Sequence, residues 1–226
     1  MNIAFFHDPH GEDRCHFQRM SNIPVDRPRS ARLPEPAIST LFHQARTYNR
    51  WQRHELGEDA IREIYEAAAF GPTSANGSPA RFVWIRSEAA KQRLVECVNP
   101  GNEIKVLGAS ATVIIGYDPN FYLKLDRLMP HAADRLIQLF SSEPQDTWET
   151  AFRNSALQGA YLIIAARALG LDCGPLSGFD HDKINAAFFE GVDIRANFLC
   201  CIGHGSNESL MPRNARLPFT EANQIL

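Results

Sequence analysis

This chain is short of several features that would define its class at once. Of its 23 basic residues only four are Lys (Lys91, Lys105, Lys124 and Lys183), and against 26 acidic residues they leave a formal net charge of −3. Such a balance supplies no field to attract nucleic acid or an anionic membrane. The Arg bias keeps small anionic ligands open, because a guanidinium fork pairs well with phosphate or carboxylate. The five cysteines (Cys15, Cys97, Cys173, Cys200 and Cys201) are odd in number, scattered and never spaced as CxxC. That pattern argues against a disulfide framework and predicts reduced, buried thiols. Long apolar runs are missing as well. The longest, near Tyr161 to Ala166, falls far short of a membrane span, and the N-terminus has no signal-peptide apolar core. A cytoplasmic location is expected.

Catalytic signatures are also scarce. The sequence contains no GxSxG, no P-loop, no HExxH and no GxGxxG after a strand. Gly203-His204-Gly205-Ser206 lacks the strand-to-helix setting of a nucleophile elbow and reads as a turn, with His204 a loop histidine. No pair of carboxylates stands out as acid and base. An enzyme built this way would leave the hard chemistry to a cofactor.

What is present suits one domain with an appendage: 226 residues, of which 44% are apolar. Residues 1–37 hold five of the 14 prolines and no sustained period, so they read as a poorly ordered arm ahead of a domain at 38–226. His7-Asp8-Pro9-His10 with Cys15-His16 has the residue types of a metal cluster. Pro9 breaks the helix that would align them, and the spacing fits no familiar zinc pattern, so no metal site is expected. Beyond Ile38, helical spacing of Ile61, Ile64, Tyr65 and Ala68 predicts a helix from Glu58 to Phe70. Strands are expected at Arg81 to Arg86, Ala111 to Tyr117, Leu171 to Gly174 and Asn197 to Gly203, with helices at Glu88 to Val98 and from Asp180 or Asp182 to Phe189. Residues 120–145 read as one or two amphipathic helices with a mobile link near Ser141 to Gln145. Asp146-Thr147-Trp148-Glu149 has the form of a capping box. It should open a helix running to Gly170, roughly 35 Å long. Ser155, Ala156, Gly159 and Ala160 would let that helix lie between the sheet and a second subunit.

Four clusters carry the functional reading. Phe70 to Pro79 leaves a helix at Gly71-Pro72 and enters a strand. It reads either as an ordinary polar turn or as a loop offering the hydroxyls and amide of Thr73, Ser74 and Asn76 to an uncharged ligand edge. Arg46-Thr47, with Arg213 and Arg216, could clamp a phosphate. Asn102 and Lys105, three residues apart, share a helical face and could meet a pyrimidine edge, the Lys offsetting negative charge near N1 of a reduced flavin. Ser177-Gly178 could give a hydroxyl and an unhindered N–H to flavin N5. The three clusters beyond the loop make sense together if the cofactor is FMN.

The segments Ala45-Arg46-Thr47, Gly71-Pro72-Thr73-Ser74-Ala75-Asn76, Asn102-Glu103-Ile104-Lys105 with Ala109-Ser110, Gly174 to Asp180, and Arg213 to Pro218 resemble the nitroreductase family of FMN-dependent oxidoreductases over most of residues 38–220. The wording of Ala45-Arg46-Thr47, Ala151 to Ser155 and Leu171 to Pro175 is similar to the malonic semialdehyde reductase branch. The resemblance implies an α+β fold with a central mixed β-sheet flanked by helices, and a homodimer with exchanged C-terminal segments. It implies that Pro72, Thr73, Ser74 and Asn76 reach the partner subunit's flavin and that Ser177 and Gly178 face N5. Asn102 and Lys105 would hold the pyrimidine side, while Arg46, Thr47, Arg213 and Arg216 take the phosphate. NADH or NADPH would deliver hydride to FMN, and malonic semialdehyde or a similar short oxo-acid would accept it, with Arg81 or Arg153 greeting its carboxylate. A nitroaromatic or quinone reductase is the alternative enzyme, and a non-catalytic FMN-binding protein the alternative of another class. Asn49 stands where many relatives carry a basic residue. Ser78 replaces a common Gln, and Ser177 a common Glu; both changes favour the semialdehyde branch.

Overall fold

Four strands are hydrogen-bonded in the order β1-β2-β4-β3: β1 Ala80–Ile85, β2 Ala111–Tyr117, β3 Asp172–Leu176 and β4 Arg195–Gly203. The structure is a computed structural model that describes residues 32–226; most of the N-terminal arm, with its histidines and Cys15, lies outside the described residues. All three strand pairings are antiparallel, which corrects the expected mixed sheet. The parallel component among the described residues is a single bridge, Thr47 to Cys173. β2 is central, and all seven of its residues are buried, as its unbroken apolar run predicts.

The helices are α1 Glu35–Ile38, α2 Glu58–Ala68, α3 Glu88–Val95, α4 Glu103–Gly108, α5 Leu125–Leu128, α6 Ala133–Ser142, α7 Pro144–Ala168, α8 His181–Phe188 and α9 Phe219–Ala222. Alternation along β2 divides the core. Val113 and Ile115 face a cluster with Ile64 of α2 and Leu162 of α7. Ile114 faces Leu94 of α3, Val106 of α4 and Ile184 of α8. The sheet is therefore covered on both faces, an α+β arrangement. None of the described helices is long and apolar enough to cross a membrane. Cys97, Cys173, Cys200 and Cys201 are buried free thiols.

The 25-residue α7 begins two residues before the expected Asp146. Pro144 occupies the first turn, where its fixed φ and missing N–H cost nothing, and Asp146 is an acidic first-turn residue instead of the cap. The mobile link expected before this helix is absent, since only Glu143 separates α6 from α7. The Thr147 hydroxyl lies 2.6 Å from the Phe140 carbonyl and 2.8 Å from that of Glu143, closing the corner. Gly159 lets α7 approach the sheet, because a Cβ there would stand 2.5 Å from the Phe198 ring. The outer side of α7 leaves Phe152, Leu157 and Tyr161 exposed, beside a stacked Trp148–Phe152 pair with centroids 5.5 Å apart.

Candidate functional site

The Asn102, Lys105 and Ser177-Gly178 clusters meet. β3 ends at Leu176, and the chain turns back so that Phe179 bridges to Val98 and the Asn99 N–H donates to the Gly178 carbonyl at 2.9 Å. Asn102, just before α4, donates its side-chain amide to the same carbonyl, also at 2.9 Å. Both lone pairs of that carbonyl are thus used, and they fix the Gly178–Phe179 peptide, whose own N–H donates to the Ser177 carbonyl at 3.1 Å. The Gly178 N–H donates to nothing among the described residues. A Cβ at Gly178 would meet Asn102 Nδ2 at 2.7 Å, so the close approach itself requires glycine. Lys105 is half-buried, and its ammonium forms neither ion pair nor hydrogen bond among the described residues. The Ser177 hydroxyl is likewise exposed and without a partner among those residues. A free N–H, a free hydroxyl and an unpaired cation are thus carried by two segments that the Asn102–Gly178 hydrogen bond joins.

The Phe70–Pro79 loop is not an ordinary turn. Ala75, Asn76 and Ser78 have φ of 53°, 52° and 43°, a left-handed conformation that non-glycine residues rarely adopt. Each such residue costs of order 1 kcal/mol, and it persists only where the surroundings over-determine it. Those surroundings are visible. The Ser74 N–H donates to Asn154 Oδ1 at 2.8 Å, the Ser78 N–H to Thr73 Oγ1 at 3.1 Å, and the Asn76 amide to the Leu128 carbonyl at 2.8 Å. Asn76 and Thr73 thus serve the loop itself, while exposed Pro72 and Ser74 face outward with no side-chain hydrogen bond among the described residues.

Arg81 supports the loop's far end. It is 12% exposed, pairs with Asp118 at 2.6 Å, and donates to the Ser78 and Ala80 carbonyls at 3.0 and 2.8 Å. Lys124 reaches the same Asp118 oxygen at 2.8 Å. Arg81 is therefore committed and does not greet a substrate carboxylate as expected. Arg153 lies on the outer side of α7, 3.6 Å from Glu149.

The residues expected to clamp a phosphate are brought together only in part. Arg46 donates to the Met211 carbonyl, and Arg213 donates to the carbonyls of His43 and Ala45 at 2.7 and 3.1 Å. Each guanidinium holds the other's segment, beside exposed Thr47 on the edge strand β3. Arg216 reaches only its neighbours Asn214 and Ala215, both at 3.0 Å. It is not brought to the other two.

Sequence reasoning missed Asn154 and Gln158, which hold the Ser74 and Ala80 N–H groups, each at 2.8 Å. Two amide side chains four residues apart on the buried face of α7 were the available signal, since buried polar groups need partners. Cys201 lies near Lys105, but burial pushes its thiol up to about 11. It offers no thiolate nucleophile at neutral pH.

The loop and the Gly178 corner stand apart within the chain. The loop is tied to α7 on one face of the sheet; Asn102 and Gly178 belong to segments packed on the other. No hydrogen bond joins them among the described residues.

The chain is 49% identical over 194 residues to a Polynucleobacter asymbioticus protein, covering 86% of this chain and 98% of that one. It is also 49% identical over 197 residues to a Rhodopseudomonas palustris protein, covering 87% and 100%. Both bear the name "Putative NADH dehydrogenase/NAD(P)H nitroreductase". Among solved structures, a Bacillus subtilis nitroreductase-type protein, YdfN, superposes with a TM-score of 0.79 at 20% identity over 84% of this chain and 99% of its own. A similar protein from Exiguobacterium sibiricum, solved in complex with FMN, gives 0.72 at 20% identity over 87% and 100%. The nitroreductase family model matches residues 45–205, a span that takes in the loop, the Gly178 corner and Arg46. The chain belongs to the nitroreductase family.

Proposed function

We propose that this protein is an FMN-dependent NAD(P)H oxidoreductase. The observation that carries the reading is the Gly178 corner, where the carbonyl is held by Asn99 and Asn102, the N–H is left free, and an unpaired Lys105 follows Asn102 by three residues. When bound, FMN supplies a carrier that takes hydride from a nicotinamide and passes it to an acceptor. The residues fit such a group. The Gly178 N–H is a donor for a ring nitrogen, and Lys105 would offset negative charge on the ring's pyrimidine side. Arg46 and Arg213, with Thr47, are placed for a phosphate, which would replace the backbone carbonyls as their acceptor.

The reading includes a homodimer with an exchanged C-terminal segment. The Gly178 corner and the loop on opposite faces of one sheet would complete each other between two copies. Support comes from the exposed aromatic side of α7 and from the tail, where Met211, Leu217, Phe219 and Ile225 are 64–84% exposed and have little to pack on.

For the acceptor, the names of the relatives favour nitro compounds. The finer reading, a short oxo-acid such as malonic semialdehyde, is supported by Ser177 in place of Glu and by the wording of Ala151 to Ser155. Purified protein tests both levels. We expect retained FMN that bleaches under anaerobic NADH or NADPH, followed by reoxidation with malonic semialdehyde at least as fast as with a nitroaromatic. A protein that stays colourless when FMN is added sinks the flavin reading. Reoxidation by the nitroaromatic alone sinks the oxo-acid.

A further inference from the structure

Beside the Phe70–Pro79 loop a groove of about 490 Å³ opens between α5, α6 and the start of α7. Ser74 and Ala75 of the loop form one wall, and Leu136 and Phe140 give an apolar floor. Its charges are one cation, Arg135, and two acids, Glu143 and Asp146. Arg135 forms no hydrogen bond or ion pair among the described residues, although both acids line the same groove. Its neighbour Leu136 is packed with Ala133 and Leu125 in the core of this helical corner, which anchors α6 beneath the guanidinium.

We propose that this groove is the acceptor site and that Arg135 makes it selective for a short, singly charged carboxylate. The proposal rests on the flavin reading, because only then does the wall made by Ser74 and Ala75 face the reacting ring. A guanidinium with no internal partner offers two parallel N–H donors to a carboxylate, a geometry a Lys cannot match. The groove's apolar lining of Met129, Leu136, Leu139 and Phe140 accommodates the carbon chain of such an acid, and its volume leaves the selection to Arg135 and the two acids. Glu143 and Asp146 set the limit, since a second anionic group would meet like charge and lose what Arg135 contributes. The expected acceptor is therefore a monoanionic oxo-acid, and a dianion should be excluded.

Calorimetric titration of the purified protein with 3-hydroxypropanoate, a monoanion, and malonate, a dianion, tests this without turnover. Wild type should bind the monoanion more tightly. Arg135→Gln should weaken that binding about 10- to 100-fold, the worth of charge-assisted hydrogen bonds. Arg135→Lys should recover only part of it, and Asp146→Asn should narrow the gap between malonate and the monoanion. FMN content and thermal stability should stay unchanged in Arg135→Gln, showing that the variant is folded and loaded. Equal binding by wild type and Arg135→Gln, or no heat from either ligand with wild type, overturns the proposal. Carboxylate binding through Arg135 in a protein that takes up no FMN would overturn the groove's role as an acceptor site, and would be recognised by the missing flavin colour.

Discussion

Gly178 shows how much one residue can set. Its carbonyl is held by Asn99 and Asn102, its N–H is free, and its missing Cβ leaves the space into which the Asn102 amide packs. Gly178→Ala would place a methyl 2.7 Å from Asn102 Nδ2. One of the two must move, and the packing beside the free N–H changes with it. We expect Gly178→Ala to lower FMN affinity at least tenfold, about 1.4 kcal/mol or more. Stability should change by less, because Gly178 is only half-buried and has a φ that alanine tolerates. Fluorescence titration of apoprotein with FMN, alongside a thermal melt, checks this. Unchanged affinity would remove Gly178 from the cofactor site. Position 177 is simpler, since an exposed hydroxyl with no partner there can be lost without disturbing the fold.

At the scale of elements, three pieces of chain are held by one carboxylate. Asp118 binds Arg81 of β1 at 2.6 Å, Lys124 at 2.8 Å, and accepts the Asn120 N–H at 2.9 Å, while its own N–H donates to the Pro79 carbonyl at 2.9 Å. The loop's strained end is thereby clamped to the end of β2 and to the turn that leads into α5. Asp118→Asn leaves a guanidinium that is only 12% exposed without its counter-charge, and breaking such a pair costs about 3–5 kcal/mol. Replacing both members, as Arg81→Met with Asp118→Leu, should restore part of that loss, because the buried guanidinium goes with its partner and the Lys124 ammonium, 39% exposed, can turn to water. FMN retention should stay low in the double variant, since the Ser78 and Ala80 carbonyls have lost their donor. Denaturant melts with flavin content measured on the same samples separate the two effects, and a loss below about 1 kcal/mol in Asp118→Asn would show that water has taken over the clamp. This clamp was hidden in the sequence. Arg81, Asp118 and Lys124 look like ordinary charges of a surface strand and turn, and only the antiparallel register, with Ala80 opposite Tyr117, brings them together. The strands themselves were legible, as an unbroken apolar run at Ala111 to Tyr117 has few other uses. The start of α7 was misplaced because Asp146 mimics a cap, whereas Pro144 makes a first turn without one. The mixed sheet was expected from resemblance, and the strand directions follow from pairings that local pattern does not encode.

For the whole molecule, the decisive feature is that the Gly178 corner and the Phe70–Pro79 loop do not meet within one chain. Asn102, Lys105 and Gly178, and Arg46 with Arg213, could be picked out because their segments, taken together and in chain order, resemble those of the family. In the proposed homodimer, which copy of the loop each corner uses would be a property of assembly and has no local mark. A mixing experiment reads it directly. One variant carries Gly178→Val, which fills the cofactor corner; the other carries Ser74→Phe, which adds a ring to the outward wall of the loop while leaving the Ser74 N–H bond to Asn154 in place. Each homodimer should hold little FMN. If each site draws its corner from one chain and its loop from the other, a mixed dimer has one doubly altered site and one with every residue intact. Refolding the two variants together should then recover FMN binding in roughly a quarter of all sites, given random pairing of equal amounts in a two-fold dimer. If each chain serves its own site, every site in the mixture carries one lesion and nothing is recovered. Flavin absorbance of the separated dimer fraction distinguishes these outcomes, and absence of recovery would return the loop to a structural role within its own subunit.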